Sequence, residues 1–138
     1  MNGDYFLDTN ILVYIHDRQS PEKQKISKEL LYNGLRSGNA VISSQVVSEY
    51  FVTADTKLRL PYSDIVQIIH HLGRLSVVEL TYAITLRAIT RTRKFSLSFW
   101  DSLIVEAAIC GGCSVLYTED LQHGQVVDGI TVHNPYKA

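Results

Sequence analysis

The sequence predicts an α/β fold, a three-layer α/β/α sandwich with a mainly parallel central sheet, and three observations carry that expectation. Short apolar runs of strand length, at residues 5–7, 40–42, 76–78, 114–117 and 130–132, are separated by longer segments with helical periodicity. Most of these runs are apolar without alternation, as befits strands buried on both faces. A chain of 138 residues that is 46% hydrophobic and 20% charged can bury one sizeable core without disulfide or metal support. One domain over residues 1–138 is therefore expected.

Each element has a local reason. Tyr5, Phe6 and Leu7 form a central strand that ends at Asp8, and after the polar junction of Thr9 and Asn10 a short helical or extended segment runs from Ile11 to Ile15. Ser20, Pro21 and Glu22 open a helix, as a capping hydroxyl, a ring suited to the first helical position and a carboxylate at the positive end. Ile26, Leu30, Leu31 and Leu35 give that helix a buried face, and Gly38 ends it. After the strand at 40–42, Ser43 or Ser44 introduces a helix with Val46, Val47, Tyr50, Phe51, Ala54 and Leu58 on one side. Pro61 reads as the first turn of the next helix, which carries Ile65, Ile68, Ile69 and Leu72 and stops at Gly73. The strand at 76–78 leads into a Thr81-capped helix to about Thr92. A helix opened by Phe99, Trp100 and Asp101 then closes at Gly111 and Gly112, before the last two strands.

Composition excludes several classes. No stretch of about 18 apolar residues is available to cross a bilayer, and the first residues lack the basic and apolar regions of a secretion signal. A cytoplasmic protein with no membrane partner is expected. There is no glycine-rich phosphate loop, which argues against ATP or NAD. Cys110 and Cys113 lie at a helix end, where a low-pKa thiol is not favoured, and read as packing residues. The five histidines are scattered.

Acidic residues carry the chemistry. Asp8 ends the first strand, Glu49 lies early in the helix after the second, Asp101 lies in the first turn of its helix, and Asp120 follows the strand at 114–117. In an open α/β sheet the crevice beyond the carboxyl ends of the strands is the usual active-site position, so these distant acids can converge there. An all-carboxylate set suits a hard cation, Mg²⁺ or Mn²⁺. Each acid also has a plainer use: Asp8 and Asp120 in turns, Glu49 as a polar helix residue, and Asp101 in a capping box with Ser98.

Four segments in order, Phe6-Leu7-Asp8-Thr9-Asn10-Ile11-Leu12, Ser43 to Tyr50, Phe99 to Ala108 and Leu116 to Leu121, resemble the PIN-domain family, and within it the VapC-like toxin ribonucleases of toxin–antitoxin pairs. The resemblance implies a PIN-like sandwich, catalytic and metal-holding roles for Asp8, Glu49, Asp101 and Asp120, and a homodimer inhibited by a cognate antitoxin protein. It also implies supporting roles for Thr9 or Asn10 and for Thr118, with Glu119 assisting or partly replacing Asp120. The expected activity is RNA hydrolysis, with Asp8 and Asp101 as direct metal ligands. The competing reading is a non-catalytic RNA-binding or assembly module.

Charge distribution adds two expectations. The net charge is −1, yet setting aside the four acids leaves ten acidic against thirteen basic residues, a positive surround for RNA. Arg87, Arg91 and Lys94, in a segment without acids between Glu79 and Asp101, are candidate phosphate contacts. Residues 18–25 and 57–62 are candidate RNA-reading segments. Apolar side chains of the helices near Pro21 and Pro61, including Ile26, Leu30, Ile65 and Ile69, are candidates for a groove or interface.

Overall fold

Strands and helices alternate in the order β1 (Asp4–Leu7), α1 (Thr9–Tyr14), α2 (Pro21–Ser37), β2 (Ala40–Ser43), α3 (Ser44–Thr56), α4 (Tyr62–Leu72), β3 (Ser76–Val78), α5 (Tyr82–Phe95), α6 (Phe99–Cys110), β4 (Cys113–Tyr117), β5 (Val126–Val127) and β6 (Ile130–His133). The computed structural model describes residues 4–137. The strands form one sheet in the order β3-β2-β1-β4-β6-β5, parallel except for the β5–β6 pair.

Strand order explains where the helices lie. Connections from β1 to β2 and from β2 to β3 step in one direction across the sheet, whereas the β3-to-β4 connection steps back past β1. Right-handed crossovers therefore send the two groups of helices to opposite faces. In agreement, α1 packs on α2 and α3, α3 on α4, and α5 on α6, while α2 and α3 from one group and α6 from the other all reach β2. Phe6, Leu7, Val41, Ile42, Leu116 and Val132 fill the core between the layers. At Gly34 a Cβ would stand 2.2 Å from that of Ala40, so the glycine lets α2 press onto β2.

Several local expectations are corrected, and two open alternatives are decided. Ser20 precedes α2 but its hydroxyl makes no cap hydrogen bond, leaving Pro21 and Glu22 to set that end. Pro61 occupies the capping position of α4 rather than its first turn, because its extended ψ of 137° is not helical. The segment after Asp8 is a short helix, and α5 continues to Phe95. Ser43, not Ser44, caps α3. β5, absent from the predicted strands, is two residues long and joins β6 through a turn in which Asp128 and Gly129 have φ values of 48° and 87°. Among the described residues no helix is long and apolar enough to cross a membrane.

Candidate active site

β1 and β4 are adjacent and parallel, so the residues following them emerge side by side. Asp8, directly after Leu7, caps α1: its carboxylate accepts from the Thr9 N–H at 2.7 Å. The Thr118 hydroxyl, directly after Tyr117, donates to the other Asp8 oxygen, Oδ2, at 2.7 Å. That hydroxyl also accepts from the Asp120 N–H at 3.1 Å. Two strand ends thus share one hydrogen-bonded junction.

The remaining acids are brought in by α3 and α6. The Thr9 hydroxyl donates to Glu49 Oε1 at 2.6 Å, and Asn10 Nδ2 donates to Asp120 Oδ2 at 3.1 Å. α1 therefore tethers two further carboxylates through its first two residues. Asp101 stands in the first turn of α6, where its backbone N–H donates to the capping Ser98 hydroxyl at 3.1 Å. Only that half of the expected capping box is present: among the described residues no side-chain hydrogen bond restrains the Asp101 carboxylate.

Electrostatics links the same acids. Asp8 is only 6% exposed, and burial, aided by the negative charges of Asp120 and Glu49, pushes its carboxyl up to about 6 despite the stabilising bonds from Thr118 and Thr9. Asp120 is likewise raised, by desolvation first and then by Asp101, Glu119 and Glu49, with the Asn10 bond opposing. No Lys or Arg forms an ion pair with Asp8, Glu49, Asp101 or Asp120 among the described residues. Nor do any three Asp, Glu, His or Cys side chains among them converge closely enough to form a ready metal cluster. The donor chemistry nevertheless fits a hard divalent cation: an all-oxygen set, uncompensated negative charge, and a buried Asn10 Oδ1 that has no hydrogen-bond partner.

Glu119 lines one cavity with Glu49 and Asp120 but is held by other partners. Its carboxylate binds the Tyr14 hydroxyl and the Lys23 ammonium, the latter at 3.2 Å, while Lys23 Nζ lies 4.6 Å from the Tyr14 ring centroid and 5.3 Å from that of Tyr136. A partner that sequence reasoning missed is Gln45, 8% exposed, whose amide donates to Glu49 Oε2 and to the Trp100 carbonyl, each at 3.4 Å. Its position four residues before Glu49, on the same helix face, was the available signal.

The basic segment of α5 is not a free phosphate-facing edge. Arg87 Nε and Arg91 Nη1 each pair with Glu106 at 2.7 Å, and Arg91 and Lys94 each pair with Asp128 at 2.9 Å. Arg91 is 9% exposed. Asp128 precedes β6, whose parallel pairing with β4 puts that turn at the sheet end opposite Thr118. The candidate phosphate contacts Arg87, Arg91 and Lys94 are thus engaged by carboxylates of the protein itself, although the Arg87 and Lys94 side chains stay 54% and 63% exposed.

Two cavities adjoin α1 and its following loop. One, about 1050 Å³, has Thr9, Asn10, Glu49 and Asp120 in its wall, together with Arg18 and Lys57. The other, about 690 Å³, lies between α2 and α4 and is lined by Leu31, Leu35, Ile68 and Leu72 among others. Of the predicted interface residues, Ile65 is fully buried in the core.

Comparison with known proteins gives consistent results. No curated protein matches the sequence. The fold is similar to that of a toxin–antitoxin complex from Klebsiella pneumoniae, with a TM-score of 0.73 and 20% identity over 98% of this chain and 100% of the other. It is similar to VapC20 of Mycobacterium tuberculosis, a toxin that cleaves the sarcin–ricin loop, with a TM-score of 0.63 and 17% identity over 85% and 90% of the two chains. It also resembles VapBC2 of Rickettsia felis bound to a promoter DNA fragment, with a TM-score of 0.64 and 21% identity over 94% and 96%. At these identities the likeness is one of fold. Residues 5–128 match the PIN domain, and the chain therefore belongs to the PIN-domain family.

Proposed function

We propose that the chain is a divalent-metal-dependent endoribonuclease, acting as one domain and serving as the toxin of a toxin–antitoxin pair. The observation that carries this reading is geometric: Thr118 ties Asp8 to the Asp120 backbone, Thr9 holds Glu49 and Asn10 holds Asp120, so acids from separate segments meet with no Lys or Arg paired to them among the described residues. A fold does not gather uncompensated carboxylates for stability, since like charges disfavour one another's ionisation. Asp8, Asp101, Glu49 and Asp120 would hold Mg²⁺ or Mn²⁺, with Asp8 and Asp101 as the direct ligands. When bound, the ion supplies a more acidic water and a counter-charge for the phosphate.

The protein's own groups act by positioning. Thr118 and the Thr9 N–H fix both oxygens of Asp8, Thr9 fixes Glu49, and Asn10 fixes Asp120. Glu49 then either orients the attacking water or binds the ion through water. Glu119, engaged by Lys23 and Tyr14, anchors the loop after β4 and leaves the anionic role to Asp120.

The partners follow from the relatives. A toxin–antitoxin complex and an RNA-cleaving toxin share this fold, which supports RNA as substrate and an antitoxin as inhibitor. The groove between α2 and α4 offers that inhibitor apolar side chains. Exposed Leu86 and Ile89 on α5 support a homodimer, and a cytoplasmic location fits these partners.

The test is cleavage of single-stranded RNA by purified protein with Mg²⁺, Mn²⁺ or a chelator, alongside Asp8→Asn. Metal-dependent cleavage that falls on the order of a hundredfold or more in the variant is expected. RNA binding with no cleavage under any metal would instead establish the non-catalytic module.

A further inference from the structure

We propose that Arg18 and Lys57 form a phosphate-binding wall that seats a single RNA strand beside the carboxylates. This inference rests on the ribonuclease reading and names the part of the protein that holds the substrate. It begins with which cations remain available. The ion pairs among the described residues engage Lys23, Arg87, Arg91 and Lys94. Arg18 and Lys57 are in none of them, both are exposed, and both line the cavity that contains Glu49 and Asp120.

The two helices that border the cavity give it a direction. α1 begins beside Asp8 and presents Asn10 at the acidic end, and the chain beyond it brings Arg18 to the wall. α3 presents Glu49, and Lys57 stands at its C-terminal cap. The eight residues from Glu49 to Lys57 correspond to about 12 Å along the helix axis. One cavity thus joins Glu49 and Asp120 to two cations that no ion pair engages among the described residues, with Lys57 that far along the helix from Glu49.

Two further carboxylates share this wall. Asp17 accepts from the Gln19 N–H at 3.0 Å, and Glu119 is paired with Lys23 at 3.2 Å. His16 is held toward its neutral form by burial and by Lys28, and its Nε2 shares a 2.7 Å hydrogen bond with the Tyr50 hydroxyl. Among the described residues, Arg18 and Lys57 are therefore the permanent cations of this cavity.

A polyanion with charge along its length matches such a wall. The phosphate to be cut would lie by the carboxylates, with neighbouring phosphates meeting Arg18 and Lys57. At about 1050 Å³ the cavity is at the upper limit of the usual small-ligand range of roughly 300–1000 Å³. It is recessed between helices and carries the apolar side chains of Val13, Val52 and Leu58 beside its polar groups. A single strand, with splayed bases and an accessible backbone, presents both its phosphates and its base faces to such a groove.

The experiment measures binding of a fluorescent single-stranded RNA across several salt concentrations in an Asp8→Asn background, with Arg18→Gln, Lys57→Gln and Arg93→Gln added singly. Arg93 is exposed, unpaired and outside this cavity. Arg18→Gln and Lys57→Gln should each weaken binding several-fold at low salt and reduce the slope of log K against log salt by about 0.7. Arg93→Gln should do neither, and melting curves should be unchanged throughout. In an otherwise unmodified background the two variants should raise KM more than they lower kcat. Unchanged affinity and slope at both positions, in a protein that cleaves RNA, would overturn the wall, as would equal affinity for a matched duplex. If no RNA is cleaved but binding still depends on both residues, the wall stands and the ribonuclease reading falls.

Discussion

Thr118 reaches across 110 positions of sequence to Asp8, donating its hydroxyl hydrogen to Oδ2 at 2.7 Å while accepting from the Asp120 N–H at 3.1 Å. One hydroxyl sets both the orientation of the first acid and the path of the chain that carries the last. Thr118→Val, nearly equal in shape, leaves a buried carboxylate oxygen without its donor. A loss of about 1–3 kcal/mol in stability is expected, with RNA cleavage reduced on the order of tenfold or more. Thr118→Ser should restore both, and denaturation curves with parallel cleavage rates check the pair.

The raised Asp8 carboxyl makes stability depend on pH in a defined direction. Its value is about 6 in the fold against an ordinary 3.8, so the folded state favours the protonated form. The contribution is complete below about pH 4 and lost as pH rises through 6, where ionised Asp8 costs about 3 kcal/mol. With a chelator present, the protein should lose stability between those pH values. Asp8→Asn should flatten that dependence and melt higher at pH 7. Mn²⁺ at pH 7 should raise the melting temperature of the unmodified protein more than that of the variant.

Asp101 separates capping from catalysis, because its backbone N–H, not its carboxylate, meets Ser98. Asp101→Asn should change stability by no more than about 0.5 kcal/mol while strongly lowering RNA cleavage. Ser98→Ala should do the reverse, costing about 1 kcal/mol through loss of the cap. Melting curves and cleavage rates on both variants make the comparison.

Arg91 is expected to matter for folding rather than for RNA. Its partner Glu106 is 2% exposed, and removing one member of a buried ion pair typically costs about 3–5 kcal/mol. Arg87 remains as a second partner of Glu106, which places Arg91→Met toward the lower end. Replacing both residues, as Arg91→Met with Glu106→Leu, should recover much of the loss. RNA affinity per folded molecule should be unchanged, as titration at low temperature will measure.

The sequence made the strand positions readable wherever apolar runs were bounded by caps and glycines. Residues 76–78 match β3 exactly as read, and Thr81, Ser98 and Gly38 mark helix ends. β5 was not legible because two residues carry no periodicity. The placement of Asp8, Glu49, Asp101 and Asp120 at strand ends and early helix turns could be read from local signals. Where the basic residues point could not, since a run such as Arg87 to Lys94 reads alike whether its partners are phosphates or the buried Glu106. The same holds for Glu119 and Asp120, neighbours in sequence whose side chains the fold sends to different partners.

Strand order also sets a schedule for synthesis. Emerging from the ribosome, β1 can pair with β2 early, but its other edge stays open until Cys113 to Tyr117 arrive to form β4. Asp8, Glu49 and Asp101 precede that strand, yet Thr118 and Asp120 follow it. A nascent chain that stops short of β4 therefore carries three of the acids with no junction to gather them, and with an unpaired strand edge that invites aggregation. The acid quartet is complete only once β4 has docked and Thr118 and Asp120 have followed it.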